Sequence, residues 1–342
     1  MTKVSGNDRG KSEFHRRSGT GRLLRGPVLP KVNEMHHFES SSHFLGFPLV
    51  GRARFRVSGA DSLRYLNGQL TQDLKRVTPQ ATLPACITSA KGRLQAEVWV
   101  AAEPRKLERA AFLVDAPGEL REALLERLER YIVADDVSVE DITGEAELLH
   151  FTGVQMPDLP EVNVFSAARA ARLGEAGWDV WVPAAQFPEL CAALGDRLGS
   201  TQDVERLRVE RGIPAWGAEL SEETLPPEAG LDRTHVDYHK GCYIGQEVIS
   251  RLKSVGHVNR VLRKFSCPSE AGSVAVADVE PKRHPLAGDA LYEMGQRGKP
   301  AGTLTSVVAD GKGGFRALGY VKRGVEAERF ETEGGAELFS VA

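Results

Sequence analysis

Helical periodicity runs out near Gly256, and that break constrains the fold more than any other feature of the 342-residue chain. Beyond it, short apolar runs at 261–265, 290–292, 301–308, 317–321 and 336–341 alternate with Gly, Asp and Lys turns. This is the pattern of an all-β module, most simply a small β-barrel, over residues 256–342. Before the break, strand and helix patterns alternate. Residues 53–57 read as a strand. A helix capped by Asp61 or Ser58 runs to about 70, with Leu63, Leu66 and Leu70 on one face. The runs 86–89 and 94–101 form a hairpin about the turn 90–93, and 111–115 is a further strand. Leu120, Leu124, Leu128 and Ile132 make an amphipathic helix, and 137–142 returns as a strand. Residues 35–145 are thus a first α+β unit with mainly antiparallel pairing. A second unit, 146–255, holds strands at 148–151 and 177–182 and helices at 187–198, from Thr201 or Gln202 to Gly212, and at about 244–253.

Residues 1–34 carry Gly, Ser and many Lys and Arg with few apolar residues. They read as a disordered basic tail, or as the product of a start codon placed too far upstream. With 44 Lys+Arg against 47 Asp+Glu the net charge is −3, so the chain as a whole is no generic polyanion binder and no direct nucleic-acid contact is expected. No apolar run is long enough to span a bilayer, and no signal-peptide pattern is visible. Cys86, Cys191, Cys242 and Cys267 lie far apart with no zinc-type spacing, which fits reduced thiols in the cytoplasm. A monomer is expected. The absence of a phosphate loop, of G-x-G-x-x-G in a βαβ setting and of G-x-S-x-G disfavours nucleotide hydrolysis, Rossmann redox chemistry and serine hydrolysis.

One octapeptide stands out: Lys240-Gly241-Cys242-Tyr243-Ile244-Gly245-Gln246-Glu247. It sets a thiol between two glycines just ahead of a helix start, where free N–H groups and the dipole favour an anion. Lys240 adds positive charge, and both effects favour the thiolate. The glycines permit a sharp turn and the close approach of a second molecule. Against this, a lone cysteine is as readily a small core residue. His235 or His239 could act as a base toward Cys242, or the three could offer an incomplete metal set. Glu210, at a helix end, could bind a guanidine-like edge bidentately or simply pair with Arg206. Arg251, Lys253, Arg260, Arg263 and Lys264, with no acid between them, could hold an anionic tail or be a solvated surface.

The octapeptide resembles the signature K-G-C-[FY]-x-G-Q-E of the YgfZ family, folate-binding proteins related to the glycine-cleavage T-protein and linked to iron–sulfur cluster assembly and repair. Residues 57–74, with Asp61-Ser62 and Tyr65-Leu66-Asn67-Gly68-Gln69, resemble its N-terminal segment. Ala90-Lys91-Gly92-Arg93 resembles its P-x-G-[RK] turn, and Arg206 through Glu219 its R-x-x-x-G-I-P-x-x-G-x-E segment. Pro227-Glu228-Ala229-Gly230-Leu231 and Leu318-Gly319-Tyr320-Val321 also fit, so the resemblance spans about 49–341.

It implies an α+β fold, a T-protein-like pseudo-threefold folate-binding domain about a central channel, followed by a small C-terminal β-barrel. It implies tetrahydrofolate as cofactor, with Glu210 on the pterin and Asn67, Gln69, Tyr243 and Gln246 around the ligand, and Cys242 with Lys240 as the chemically active pair. Iron–sulfur client enzymes, tRNA-modifying ones among them, or cluster-assembly proteins are the implied partners. Gln95 and Ala96 stand where the related aminomethyltransferases place acids, so ordinary glycine-cleavage activity is not expected. Rival readings are an aminomethyltransferase- or demethylase-type enzyme and a folate-binding module without chemistry.

Overall fold

A computed structural model describes residues 46–103, 111–268 and 283–341; the tail expected at 1–34 lies outside the described residues. A short strand, β1 (Gly46–Leu49), is followed by β2 (Arg52–Ser58), helix α1 (Ser62–Gln69), β3 (Leu83–Thr88), β4 (Leu94–Ala102), β5 (Ala111–Pro117), α2 (Arg121–Glu129) and β6 (Ser138–Asp141). Strands β3-β4-β5-β2-β6 form an antiparallel sheet in that order. Its alternation works as the sequence suggests: Ala53, Phe55 and Val57 point to one face and are buried there with Tyr65 and Leu66 of α1, Leu70 directly after it, and Leu124 and Leu128 of α2.

The second sheet joins β7 (Ala146–Thr152), β8 (Ser166–Ala170) and β9 (Gly177–Pro183) in the order β1-β7-β9-β8. Two of its four strands have no counterpart in the sequence reading. β8, Ser166-Ala167-Ala168-Arg169-Ala170, lacks the β-branched and aromatic residues by which a strand is recognised. β1 pairs with β7, Gly46 opposite Phe151, so the first described strand serves the second sheet. Helix α3 (Phe187–Leu194) covers the outer face through Leu149, Phe151, Val180 and Val182. The inner faces of the two sheets meet each other. Arg54 of β2 reaches Ser166 of β8 and lies over Trp181 of β9. The result is a helix–sheet–sheet–helix stack whose middle interface is polar.

Helix α4 (Thr201–Arg211) starts on Ser200, whose side chain and that of Asp203 cap each other's backbone N–H, and ends on left-handed Gly212. It packs on β1 and on the C-terminal barrel. After α5 (Gln246–Ser254), the strands β10 (Arg260–Cys267), β11 (Ala290–Glu293), β12 (Gly302–Ala309), β13 (Phe315–Lys322), β14 (Arg329–Thr332) and β15 (Glu337–Val341) close a six-stranded barrel in the order β10-β13-β12-β11-β14-β15. The barrel predicted from the pattern is there, with β14 added. Phe265, Leu291, Leu304, Val321, Phe330 and Leu338 fill it.

A register shift between Leu304 and Ser306 fixes how the barrel meets α4. Consecutive strand residues ordinarily point to opposite faces, but a bulge breaks the rule. Here Thr305 and Ser306 both donate to Glu219, at 2.7 and 2.6 Å. Glu219 also accepts from Arg208 of α4 and from the Ala215 N–H, while its own carbonyl accepts from Tyr320 of β13. One buried carboxylate thereby ties helix, loop and barrel together.

Candidate functional site

The octapeptide forms a loop and the first turn of α5, held from three sides. Lys240 is buried, and its ammonium donates to the carbonyls of Asn67 and Leu70, each at 2.6 Å, and of Gln72 at 2.8 Å. These are carbonyls at and just past the C-terminal end of α1, where acceptors lack intrahelical donors and a cation is favoured. The lysine closes that helix end, and its charge is spent there instead of on the thiol. Burial pulls its pKa down to about 8, against the opposing pull of Asp73 and Asp237. The Ile244 N–H donates to Gly68, and Thr88 Oγ1 donates to the Ile244 carbonyl. Gly245, at φ 88°, caps α5. Its Cα faces the Ser89 carbonyl so closely that a Cβ would stand 2.5 Å from that oxygen, and Gly92 is packed in turn by Val248. The turn 88–92 and the octapeptide therefore interlock through their glycines, and what approaches Gly245 closely is the protein's own chain.

Cys242 is exposed at the tip of this pinned loop, three residues before the N-cap of α5. His235 does not serve it as a base here. His235 is buried, with Nδ1 on Thr234 at 2.8 Å and Nε2 on Glu97 at 3.2 Å; His239 is exposed, its N–H bound by Asp237. Beneath the loop, Tyr243 packs with Val236 and Ile249 under the Lys240 ammonium, 5.3 Å from its ring.

The other residues named from the sequence do not converge on one pocket. The Asn67 side chain accepts from the Leu74 N–H, a local cap. Gln69 accepts from Arg127, which also donates to Gln95 at 2.7 Å. Gln246 is half-buried, with no side-chain hydrogen bond among the described residues. Glu210 is different. It is half-buried near the end of α4, and every arginine of that helix is committed elsewhere. Arg206 pairs with Asp203, Arg208 with Glu205 and Glu219, and Arg211 with Glu175. The alternative Arg206–Glu210 pair does not form, and among the described residues no donor reaches the Glu210 carboxylate. The basic stretch is largely consumed as well: Arg263 donates to the Val325 and Ala327 carbonyls, Arg260 pairs with Glu228, and Arg251 with Glu247.

Two features escaped the sequence reading. A groove of about 420 Å³, lined by Arg93, Glu223, Glu228, Asn259, Arg260 and Lys322, lies between the 88–93 turn and the barrel. Its size is that of small-molecule sites. The other is the interface between the sheets. Arg172 bridges Asp115 and Asp179, Asp179 also holds His150, and Asp115 also holds Arg52. Burial opposes charge on Asp179, but Arg172 and His150 hold its carboxyl below the usual range. Trp99 donates to Glu97, the partner of His235. These residues leave a gap of about 10 Å³, so a pterin does not fit between the sheets as they stand. An acid of the kind a pterin needs is present in Glu210, but it is not among the residues lining the groove, and the Asn67 and Gln69 side chains are used elsewhere.

No family model matches the chain. It is 26% identical over 301 residues to a chloroplastic protein of Arabidopsis thaliana provisionally named a transferase, over 79% of this chain; the chain spans 63% of the length of that relative. Among solved structures it is similar to the crystal structure of glycine cleavage system aminomethyltransferase T from Bartonella henselae, with a TM-score of 0.67 and 19% identity over 86% of this chain and 84% of that one. The chain thus has the mixed α+β fold of the glycine-cleavage aminomethyltransferase, completed by a closed six-stranded β-barrel.

Proposed function

We propose that the protein binds tetrahydrofolate and supports the assembly or repair of iron–sulfur clusters in client enzymes, tRNA-modifying ones among them. The observation that carries folate binding is Glu210: a half-buried carboxylate left without a donor on a helix whose three arginines all pair elsewhere. Such an acid is matched by the paired N–H donors of a pterin's guanidine edge. When bound, tetrahydrofolate supplies a carrier for one-carbon units. Calorimetry with tetrahydrofolate on wild type and Glu210→Ala side by side tests this. Wild type is expected to bind and Glu210→Ala to lose about 10- to 100-fold in affinity, the worth of a charge-assisted pair. Equal affinity of the two proteins would remove Glu210 from the site.

The iron–sulfur reading rests on Cys242, an exposed thiol on a loop immobilised at Lys240, Ile244 and Gly245. That is what a reactive thiol or a transient cluster ligand requires: access together with a fixed position. Cys242→Ala is expected to keep wild-type stability within about 0.5 kcal/mol, as an exposed substitution does, and to fail to restore iron–sulfur enzyme activity in cells lacking the protein. Full restoration would leave the cysteine without this role.

An aminomethyltransferase- or demethylase-type reaction is the second reading, favoured by the fold. Gln95 weighs against it, since its side chain is held by Arg127 and supplies no ionisable group.

A further inference from the structure

A hydroxyl, an imidazole and a carboxylate stand in one hydrogen-bonded line between β4 and the segment that leads into the octapeptide. Glu97 lies on β4, and Thr234 and His235 directly follow the short turn Leu231–Arg233. Thr234 Oγ1 is 2.8 Å from His235 Nδ1, and His235 Nε2 is 3.2 Å from Glu97 Oε1. Thr234 is exposed, His235 buried and Glu97 half-buried. Burial opposes charge on Glu97, but His235, Arg52 and Arg172 hold its carboxyl below the usual range. An ionised carboxylate only accepts hydrogen bonds, and Trp99 already donates to this one at 2.7 Å. The ring nitrogen that faces it, Nε2, therefore carries the proton. In the neutral imidazole this leaves Nδ1 bare, so the Thr234 hydroxyl donates to it.

The backbone on either side of this contact is pinned. The Thr234 carbonyl accepts from Gln72 Nε2 and the His235 carbonyl from Thr71 Oγ1, while the His235 N–H donates to the Leu231 carbonyl. The His235 ring meets Trp99 edge-on, with centroids 6.1 Å apart. An exposed hydroxyl on a base that is itself oriented by a carboxylate is the arrangement of an activated nucleophile. We propose that Thr234 is a covalent acceptor for acyl groups, with His235 as its base and Glu97 as the residue that positions the ring. The hydroxyl oxygen attacks the acyl carbon, and the Oγ–C bond forms as the bond to the leaving group breaks. The hydroxyl proton passes through Nδ1 to that leaving group, and nothing is oxidised or reduced. The base contributes proton transfer alone, so the donor has to carry a good leaving group of its own, as a thioester or an activated ester does. Cys242 takes no part, and the site is independent of folate binding.

The test is incubation of the full chain with p-nitrophenyl acetate, followed by peptide mapping of the acetyl groups over time. Thr201, exposed at the start of α4, is the reference within the same molecule. Thr234 is expected to be acetylated about 100-fold faster than Thr201, the worth of a general base. His235→Gln and Glu97→Gln are each expected to lower that ratio by about 10-fold or more. The ratio compares two hydroxyls of one molecule, so a change in stability alone does not move it. Equal labelling of the two threonines in wild type, or an unchanged ratio in His235→Gln, would overturn the proposal and leave Thr234 as a local cap on a buried histidine. An unchanged ratio in Glu97→Gln would overturn the part given to that carboxylate. If neither variant folds, the wild-type ratio decides alone.

Discussion

Gly245→Ala is expected to destabilise the protein by about 3–4 kcal/mol, while Gly241→Ala, four residues earlier in the same loop, changes stability by less than about 1 kcal/mol. The two glycines bracket Cys242, one directly before it and one three residues after, and do different things in the fold. At Gly245 the backbone is left-handed, φ 88°, and an added Cβ would meet the Ser89 carbonyl at 2.5 Å, the Thr88 hydroxyl at 2.7 Å and the Gly92 Cα at 3.1 Å. Two of those three atoms are backbone and cannot yield without parting the loop from the turn. At Gly241 nothing stands within 4 Å. Urea unfolding of both variants against wild type reads the difference. A Gly245→Ala midpoint equal to that of Gly241→Ala would mean that the interlock contributes nothing.

Glu219→Ala is the second large effect, about 3–5 kcal/mol, the cost of stripping one partner from a buried charge pair. The substitution leaves Arg208 with Glu205 as its one carboxylate partner and takes acceptors from Thr305, Ser306 and the Ala215 N–H. Since those donors belong to both α4 and the barrel, the damage should fall on their junction. Hydrogen exchange of the β12 amides is expected to speed up more than that of β2 and β5. A cost below about 1 kcal/mol, or a uniform change in exchange, would show that the barrel is held by its apolar contacts instead.

The fold was readable where one face of an element is apolar and the other is not. The arrangement 53, 55, 57 in β2 and 120, 124, 128 at α2 placed the first core correctly, because water covers or nearly covers the opposite face of the helix. In β2 the opposite face is Arg52, Arg54 and Arg56, and periodicity says nothing about what lies against it. The second sheet does, through Ser166, Trp181 and Arg172, so the polar junction needed tertiary structure to be seen. The site was legible in part for a related reason. Composition around Cys242 marked the octapeptide as special, but most of its special residues are used for anchoring. Lys240 was read as an activator because it is near the thiol in sequence; a flexible four-carbon side chain goes where acceptors are, and the end of α1 offers three. The resemblance placed Asn67 and Gln69 in a ligand shell, whereas local capping and Arg127 claim their side chains. Glu210 was separable from a surface carboxylate only once all its arginine neighbours could be seen to face elsewhere.

The pairing of β1 with β7 has a temporal side. During synthesis, Gly46–Leu49 emerges ahead of every residue of the first sheet, yet its partner Phe151 follows about 100 residues later, roughly 5–20 s at ordinary elongation rates. Through that interval the first sheet can close on α1 and α2 while an unpaired strand hangs from its leading end, with Phe47 and Leu49 exposed. The second half of the molecule must then thread its growth onto a strand already made. A nascent chain whose emerged part ends between 142 and 145 would therefore be the form most open to chaperone capture, and the earliest of the described strands would be among the latest to find its place.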